Sequence, residues 1–243
     1  MRSLVIYQGP SQIDGADIVA VAVYSRRNPK TGPMVQTYIL RADMAPMAAN
    51  KSGADISICG NCPLRGIPTD NPARAMAEGR GCYVVIAQGP TSVWKAFRQG
   101  AYAMAQGPED IAAMGAGQMI RLGSYGDPGA VPLWVWRALV SKAAGWTGYT
   151  HNATDEGLFD LAMASVESLQ DAQTHWAAGR RTFRVVRNIA EVDTRREVLC
   201  PASKEAGYRT TCAECRLCAG TATRSPKSVA IVAHGSGRKA VPA

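Results

Sequence analysis

Apolar positions fall first in short β-branched runs and later alternate between such runs and segments of helical spacing. Val19–Ser25 and Met34–Arg41 flank the turn-rich Asn28-Pro29-Lys30-Thr31-Gly32, which predicts a β-hairpin. A short helix is expected at Met47–Lys51. The following ICGNCPLRG, from Ile58 to Gly66, carries too much Gly, Asn and Pro for regular structure. From Cys82 the alternation begins. Cys82–Gln88 reads as a strand, and the segment from Thr91 reads as a helix with a Thr or Ser cap and with Val93, Trp94 and Phe97 at helical spacing. Met119–Pro128 is the next strand run. It is followed by a helix with Leu133, Trp136, Leu139 and Val140 on one face and a stop at Gly145. Strands are then expected at Trp146–His151, Leu161–Val166 and Thr182–Asn188, and in the short runs after Glu197 and Ser228, with a helix from Ser168 to Gly179. Trp94, Trp134, Trp136 and Trp176 fall on helical spacing and are expected in the core.

Repeated strand–helix alternation implies parallel strands joined by right-handed crossovers. The expectation is one α/β domain over residues 1–243: an N-terminal β-hairpin region (1–45), a cysteine loop (46–81), and β/α repeats (82–243) carrying a second cysteine loop at 200–220. A (β/α) barrel, incomplete or distorted where helices are weak, is the first choice of architecture, and an open doubly wound sheet is the second. In both, sites gather at the carboxyl ends of strands. Those ends carry Gln88, Tyr125-Gly126-Asp127, His151-Asn152, Glu167-Ser168, Arg187-Asn188, Cys200-Pro201-Ala202-Ser203 and His234-Gly235, which together suggest a binding or catalytic rim.

Composition narrows the class. With 47% hydrophobic and 19% charged residues the chain has ordinary globular character. No apolar run approaches the ~20 residues that cross a bilayer, and the N-terminal apolar stretch is too short for a signal peptide, so a cytoplasmic protein without a membrane partner is expected. The net charge of +8 is compatible with a nucleic-acid partner, although Arg26-Arg27, Arg180-Arg181 and Arg195-Arg196 are scattered pairs and form no block.

Seven cysteines cannot all pair within one chain, and clustered cysteines in a cytoplasmic setting favour metal or redox chemistry over structural bridges. Cys212-x-x-Cys215-x-x-Cys218 wraps three thiols around one compact object. Cys200-Pro201, twelve residues earlier, supplies a fourth, as ferredoxin-type loops do for a 4Fe–4S cluster. Zinc is the alternative, but Cys200 lacks the near partner of a second zinc knuckle. Cys59-x-x-Cys62 with Cys82 offers three thiols. These could form a Cys₃His zinc site completed by His151 or His234, a 4Fe–4S cluster with one open iron, or a redox pair of Cys59 and Cys62 beside a buried Cys82. One or two clusters are therefore expected.

Among the remaining candidates, Asp127 either orients a ligand or caps the next turn. His151 is the best histidine for ligation or proton transfer, and Glu167 is a carboxylate at a neighbouring strand end. Tyr125 and Gly126 are cofactor-binding candidates. Tyr83, Tyr125 and Tyr149 could stack on a ring or simply pack. His175 is expected at the surface and His234 is intermediate. No phosphate-binding loop, Ser-His-Asp signature or HExxH motif is present.

Taken together, SICGNCP, RLGSYGDPGAVP, TGYTH, RTFRVV and CPAS…TTCAECRLC resemble an uncharacterised family of phage and mobile-element proteins over nearly the whole chain. The resemblance implies a phage or prophage origin, hence the host cytoplasm, and implies that the cysteines form one system. It supplies no reaction. A broader architectural likeness to radical S-adenosylmethionine barrels is an analogy. The Cys-x₃-Cys-x₂-Cys loop of those enzymes is absent here, which counts against adenosylmethionine as a cofactor. Two functions are expected to compete: an iron–sulfur enzyme acting on nucleic acid or a nucleotide-derived substrate, and a non-catalytic zinc- or cluster-stabilised nucleic-acid-binding protein.

Overall fold

A computed structural model describes residues 3–26, 28–223 and 225–234. Its framework is a mixed ten-stranded sheet. The chain starts as an antiparallel meander of β1 (Leu4–Pro10), β2 (Asp17–Ser25) and β3 (Met34–Arg41). The expected hairpin is β2–β3, and Leu4–Pro10 adds a third strand to it. The parallel part follows as β5 (Met119–Tyr125), β6 (Gly145–Thr150), β7 (Met163–Val166), β8 (Thr182–Val186), β9 (Glu197–Leu199) and β10 (Ser228–Val232). With the short β4 (Ala103–Met104), the order is β4-β1-β2-β3-β5-β6-β7-β8-β10-β9.

The sheet is open, so the closed barrel is not formed among the described residues. The reason lies in the last strands: β10 inserts between β8 and β9 and pairs in parallel with both. That leaves β9 as one edge while β4 forms the other.

Period-2 alternation decides what each face meets. Ile120 and Leu122 of β5 pack with Ile111 and Met114 of α4 (Pro108–Gly115) and with Val135, Trp136 and Leu139 of α5 (Leu133–Val140). Ala164 and Val166 of β7 pack with Ala172 and Trp176 of α6 (Leu169–Ala177), which Ser168 caps. The residues between them, Arg121 and Gly123 on β5 and Ser165 on β7, face the other side. Helices do not cover that side at these positions. The segments bearing α2 (Ile56–Cys59) and α7 (Cys212–Cys215) contribute to its cover, while α1 (Pro46–Ser52) lies against β3.

Several sequence expectations need correction. Cys82–Gln88 forms no strand: Arg80 takes the carbonyls of Cys82 and Val84, and Thr91 takes that of Ile86, so the backbone is satisfied without a ladder. Gln88 therefore does not end a strand. The helix expected from Thr91 is α3 (Gly89–Arg98), entered two residues earlier with Pro90 in its first turn. The helix before Gly145 stops at Val140, and Gly145 opens β6. The α4 helix was not anticipated. Trp134 lies on the outer side of α5 and is 52% exposed, because Trp136 takes the core position. His175 is half-buried against Phe159 instead of free at the surface. Gly235 and Arg27 lie outside the described residues.

One ion pair sits inside the sheet. Arg184 meets Glu197 through two hydrogen bonds of 2.8 and 2.6 Å, with side-chain exposures of 4% and 0%. Removing one partner strands a buried charge, so Glu197→Ala should lower stability by roughly 3–5 kcal/mol in urea unfolding. The double variant Arg184→Met/Glu197→Leu should recover most of that loss. A single-variant loss under about 1 kcal/mol would show that the pair is solvated.

Candidate active site

Between the sheet and the two cysteine segments lies a cavity of about 230 Å³. Its sheet wall includes Arg121, Tyr125, Tyr149, Ser165, Phe183, Val185 and Ile231. A bulge makes this wall uneven. Gln36 pairs with Arg121 but Tyr38 pairs with Tyr125, so β5 carries two extra residues. Gly123 takes φ +67 there. The Thr37 hydroxyl stands in for the lost ladder, accepting from Gly123 N at 2.8 Å and donating to Arg121 O at 2.9 Å. As a result Gly123, Ser124, Tyr125, Gly126 and Asp127 all border the cavity.

Cys59, Cys62 and Cys82 lie at the carboxyl end of the strands. α2 ends at Cys59, and Gly60 turns the chain at φ +53, with the Asn152 side chain occupying the space a Cβ would need. Asn152 donates to Cys59 O at 2.8 Å, accepts from Asn61 N at 2.9 Å and donates to Asp127 at 3.1 Å. Asp127 also accepts from Gly129 N, the Thr150 hydroxyl and His151 N at 2.6 to 2.8 Å. Of the two roles expected for Asp127, its carboxylate performs the capping one. Arg65 ties the loop further, pairing with Asp55 and donating to Gly60 O at 3.0 Å.

His151 and Glu167 meet because β6 and β7 pair in parallel, which brings the residues after their ends together. His151 Nε2 lies 2.8 Å from Glu167 Oε1, and Cys62 also hydrogen-bonds the imidazole. Burial opposes the imidazolium, but the bonds to Cys62 and Glu167 outweigh it and hold the pKa well above the usual histidine value. Burial pushes the Cys59 and Cys82 thiols up, each reinforced by its cysteine neighbours.

The four-cysteine group covers the opposite end. Cys212 N and Ala213 N donate to Lys30 O and Thr31 O just before β3, and Gly148 N of β6 donates to Cys218 O at 2.8 Å. Thr211 and Glu214 form a capping box that starts α7. Arg181, buried, donates to Leu217 O, Gly220 O and Lys227 O and so anchors the loop's far side. Cys200, Cys212, Cys215 and Cys218 are electrostatic neighbours. Burial raises the Cys218 thiol to about 12 although Tyr149 hydrogen-bonds it. Lys30 stands beside Cys200 and Cys212, with Nζ 2.9 Å from His234 Nε2. His234 Nδ1 faces Val232 O at 3.1 Å, so that nitrogen carries the proton and Nε2 accepts from Lys30.

All seven cysteines are free thiols. Five of them line the cavity, Cys59, Cys62 and Cys82 at one end and Cys200 and Cys212 at the other. The donor types fit soft metals. Among the described residues, no three His, Cys, Asp or Glu side chains are close enough to hold a single metal ion as placed. The structure brings His151, Glu167 and the three-cysteine set together and places Tyr125, Gly126 and Asp127 beside them. Sequence reading named Asn152 only within the strand-end rim, Arg181 only within a scattered basic pair and Lys30 only within the hairpin turn, and it did not name Arg121. For Arg121 a signal existed: a charge within the apolar run Met119-Ile120-Arg121-Leu122.

Comparison of the chain with protein-family models, curated proteins and solved structures found no match. No helix among the described residues is long and apolar enough to cross a membrane.

Two predictions follow from this geometry. Asn152→Ala leaves the Cys59 carbonyl and Asn61 amide without their partner, so it should cost about 1–3 kcal/mol in denaturant unfolding and speed amide exchange at Asn61. Unchanged exchange there would refute the strut role. In metal-free, reduced protein the fold raises the His151 pKa. Its contribution to stability is therefore complete below the unfolded imidazole pKa of about 6.5 and is lost as pH rises through the higher folded value. Glu167→Gln should accordingly destabilise most at the acid end of that window. A wild-type-minus-variant difference that grows with pH would contradict the pairing.

Proposed function

We propose that this chain is an iron–sulfur enzyme acting on a small molecule held between two cysteine-ligated centres. The observation that carries the reading is the placement of two separate groups of free, mostly half-buried cysteines, with Cys59, Cys62 and Cys82 lining one end of a cavity and Cys200 and Cys212 the other. Cys200, Cys212, Cys215 and Cys218 supply a complete thiolate set for one cluster. Cys59, Cys62 and Cys82 supply three ligands at the second centre, where His151 is the nearest fourth. Glu167 on the imidazole is the carboxylate partner that ligating histidines usually have.

Bound clusters supply single electrons, and any iron lacking a protein ligand supplies a coordination position. The chain's own groups do the rest. The raised thiols must shed their protons on loading, so assembly is favoured by higher pH. Where His151 is not a ligand, its imidazolium and Glu167 hold a proton at the cavity wall. Arg65 and Asn152 keep the three-cysteine loop on the strand ends. Several arginines behind the +8 charge are committed internally: Arg181 to carbonyls, Arg184 to Glu197, and Arg180 to Glu156. A small molecule in the cavity is therefore favoured over a nucleic acid.

A second reading rests on one observation, the chain of Cys62, His151 and Glu167, which has the thiol–imidazole–carboxylate order of a cysteine nucleophile. One experiment addresses both readings. Protein purified anaerobically should be brown and contain iron and acid-labile sulfide. Cys59→Ala should lose the iron of one centre and Cys212→Ala that of the other. A colourless protein holding zinc overturns the iron–sulfur reading. Iron-free protein in which iodoacetamide modifies Cys62 selectively, and only with His151 intact, upholds the second reading instead.

A further inference from the structure

We propose that Arg121 and Lys30 form an anion subsite in the cavity, holding the phosphate or carboxylate of a small ring-bearing substrate. The inference deepens the enzyme reading above and rests on it for the word substrate, but the subsite itself stands on its own geometry.

Arg121 projects from the middle of an otherwise apolar strand into the cavity. Its guanidinium lies 5.4 Å from the centre of the Tyr149 ring and makes no hydrogen bond or ion pair among the described residues. Other arginines at the cavity are committed: Arg65 to Asp55, and Arg80 to the carbonyls of Cys82 and Val84. A partly buried guanidinium with five donors and no acceptor is an unfinished interaction. Lys30 is near Arg121, and its hydrogen-bond partner is the His234 ring nitrogen Nε2. Glu205 is close enough to be felt but forms no ion pair with Lys30. Among the described residues neither cation forms an ion pair with a carboxylate, although Cys200 and Cys212 lie beside Lys30.

The remainder of the wall is largely aromatic and apolar. Tyr149 and Phe183 lie 4.1 Å apart between ring centroids, Tyr83 and His234 lie 4.7 Å apart, and Val185 and Ile231 lie beside them. These surfaces suit the face of a ring. An independent observation comes from Tyr125, which lines the same cavity at 4% exposure with a hydroxyl that has no hydrogen-bond partner among the described residues. A buried phenol left unsatisfied is uncommon, and a ligand acceptor completes it. The ligand so defined has an anionic group at the Arg121–Lys30 end and a polar atom at the Tyr125 end.

The test is calorimetric titration of the full-length, anaerobically purified protein with 4-hydroxyphenyl phosphate, 4-hydroxybenzoate and inorganic phosphate, with phenol as the neutral control. At least one ring-bearing anion should bind, and phenol should bind at least about tenfold more weakly. Arg121→Gln should weaken the anion at least about tenfold, as expected for loss of a hydrogen bond to a charged group, and Tyr125→Phe by a few-fold. Lys30→Met should weaken the anion and leave phenol unchanged. The two ring-bearing anions distinguish phosphate from carboxylate. If Arg121→Gln does not fold by circular dichroism, Lys30→Met and Tyr125→Phe carry the test.

Folded protein that binds no ring-bearing anion at millimolar concentration overturns the subsite. So do anion binding no tighter than phenol and anion binding indifferent to the variants. Loss of iron in Arg121→Gln without any anion binding by the wild type would show that the cations serve only the cysteine centre, and also overturns it. Iron content, measured on the same samples, reads the cluster assignment alone. Arg121-dependent anion binding by iron-free protein therefore upholds the subsite while sinking the cluster.

Discussion

Two loops that belong to no ladder must stay on one face of the sheet, and side chains that bind backbone hold them there. At the carboxyl end, Asn152 grips Cys59 and Asn61 while Asp127 fixes Asn152 and the turn after β5. At the other end, Arg181 collects carbonyls from Leu217, Gly220 and Lys227. Each bond satisfies a group that a strand or helix would otherwise have paired. Without these bonds the cavity has no cover and the cysteines have no common geometry. The polar residues that look most like chemistry at the strand ends are thus partly structural, Asp127 above all.

The same arrangement leaves a distinct group of side chains outside the network that holds the backbone. His151 and Glu167 face one another beside Cys62. Among the described residues Arg121 and Lys30 pair with no carboxylate, and the Tyr125 hydroxyl has no hydrogen-bond partner. Buried or half-buried groups in this condition are costly to fold around, which is why they gather where something else is to bind. His151, Arg121, Lys30 and Tyr125 share a cavity with five cysteines, which on the proposed reading would put recognition and metal chemistry in one place.

The α/β class, the N-terminal hairpin, strands β5 to β10 and helices α1, α5 and α6 were legible in the sequence, because period and turn chemistry are local properties. The strand-end rule also found His151 and Glu167 separately. Failures came where a local pattern had a non-local use. Cys82–Gln88 has the composition of a strand, yet Arg80 and Thr91 satisfy its backbone and no strand accepts it. Trp134 lies two residues from Trp136, so the helix turns the two to opposite sides and only one can point at β5.

The amino-acid sequence by itself determined the parallel α/β alternation, the cysteine spacing and the small set of polar residues that follow apolar runs. Each is a matter of neighbours along the chain. The tertiary structure decided that β10 would insert inside β9 and keep the sheet open. It also decided that the two cysteine groups face one cavity, and that Arg121 points into it while Arg181 and Arg184 are consumed elsewhere. An arginine is the same residue in all three positions. Whether it ends on a carbonyl, a carboxylate or a vacant acceptor site depends on which strand lies beside it and which face its register selects.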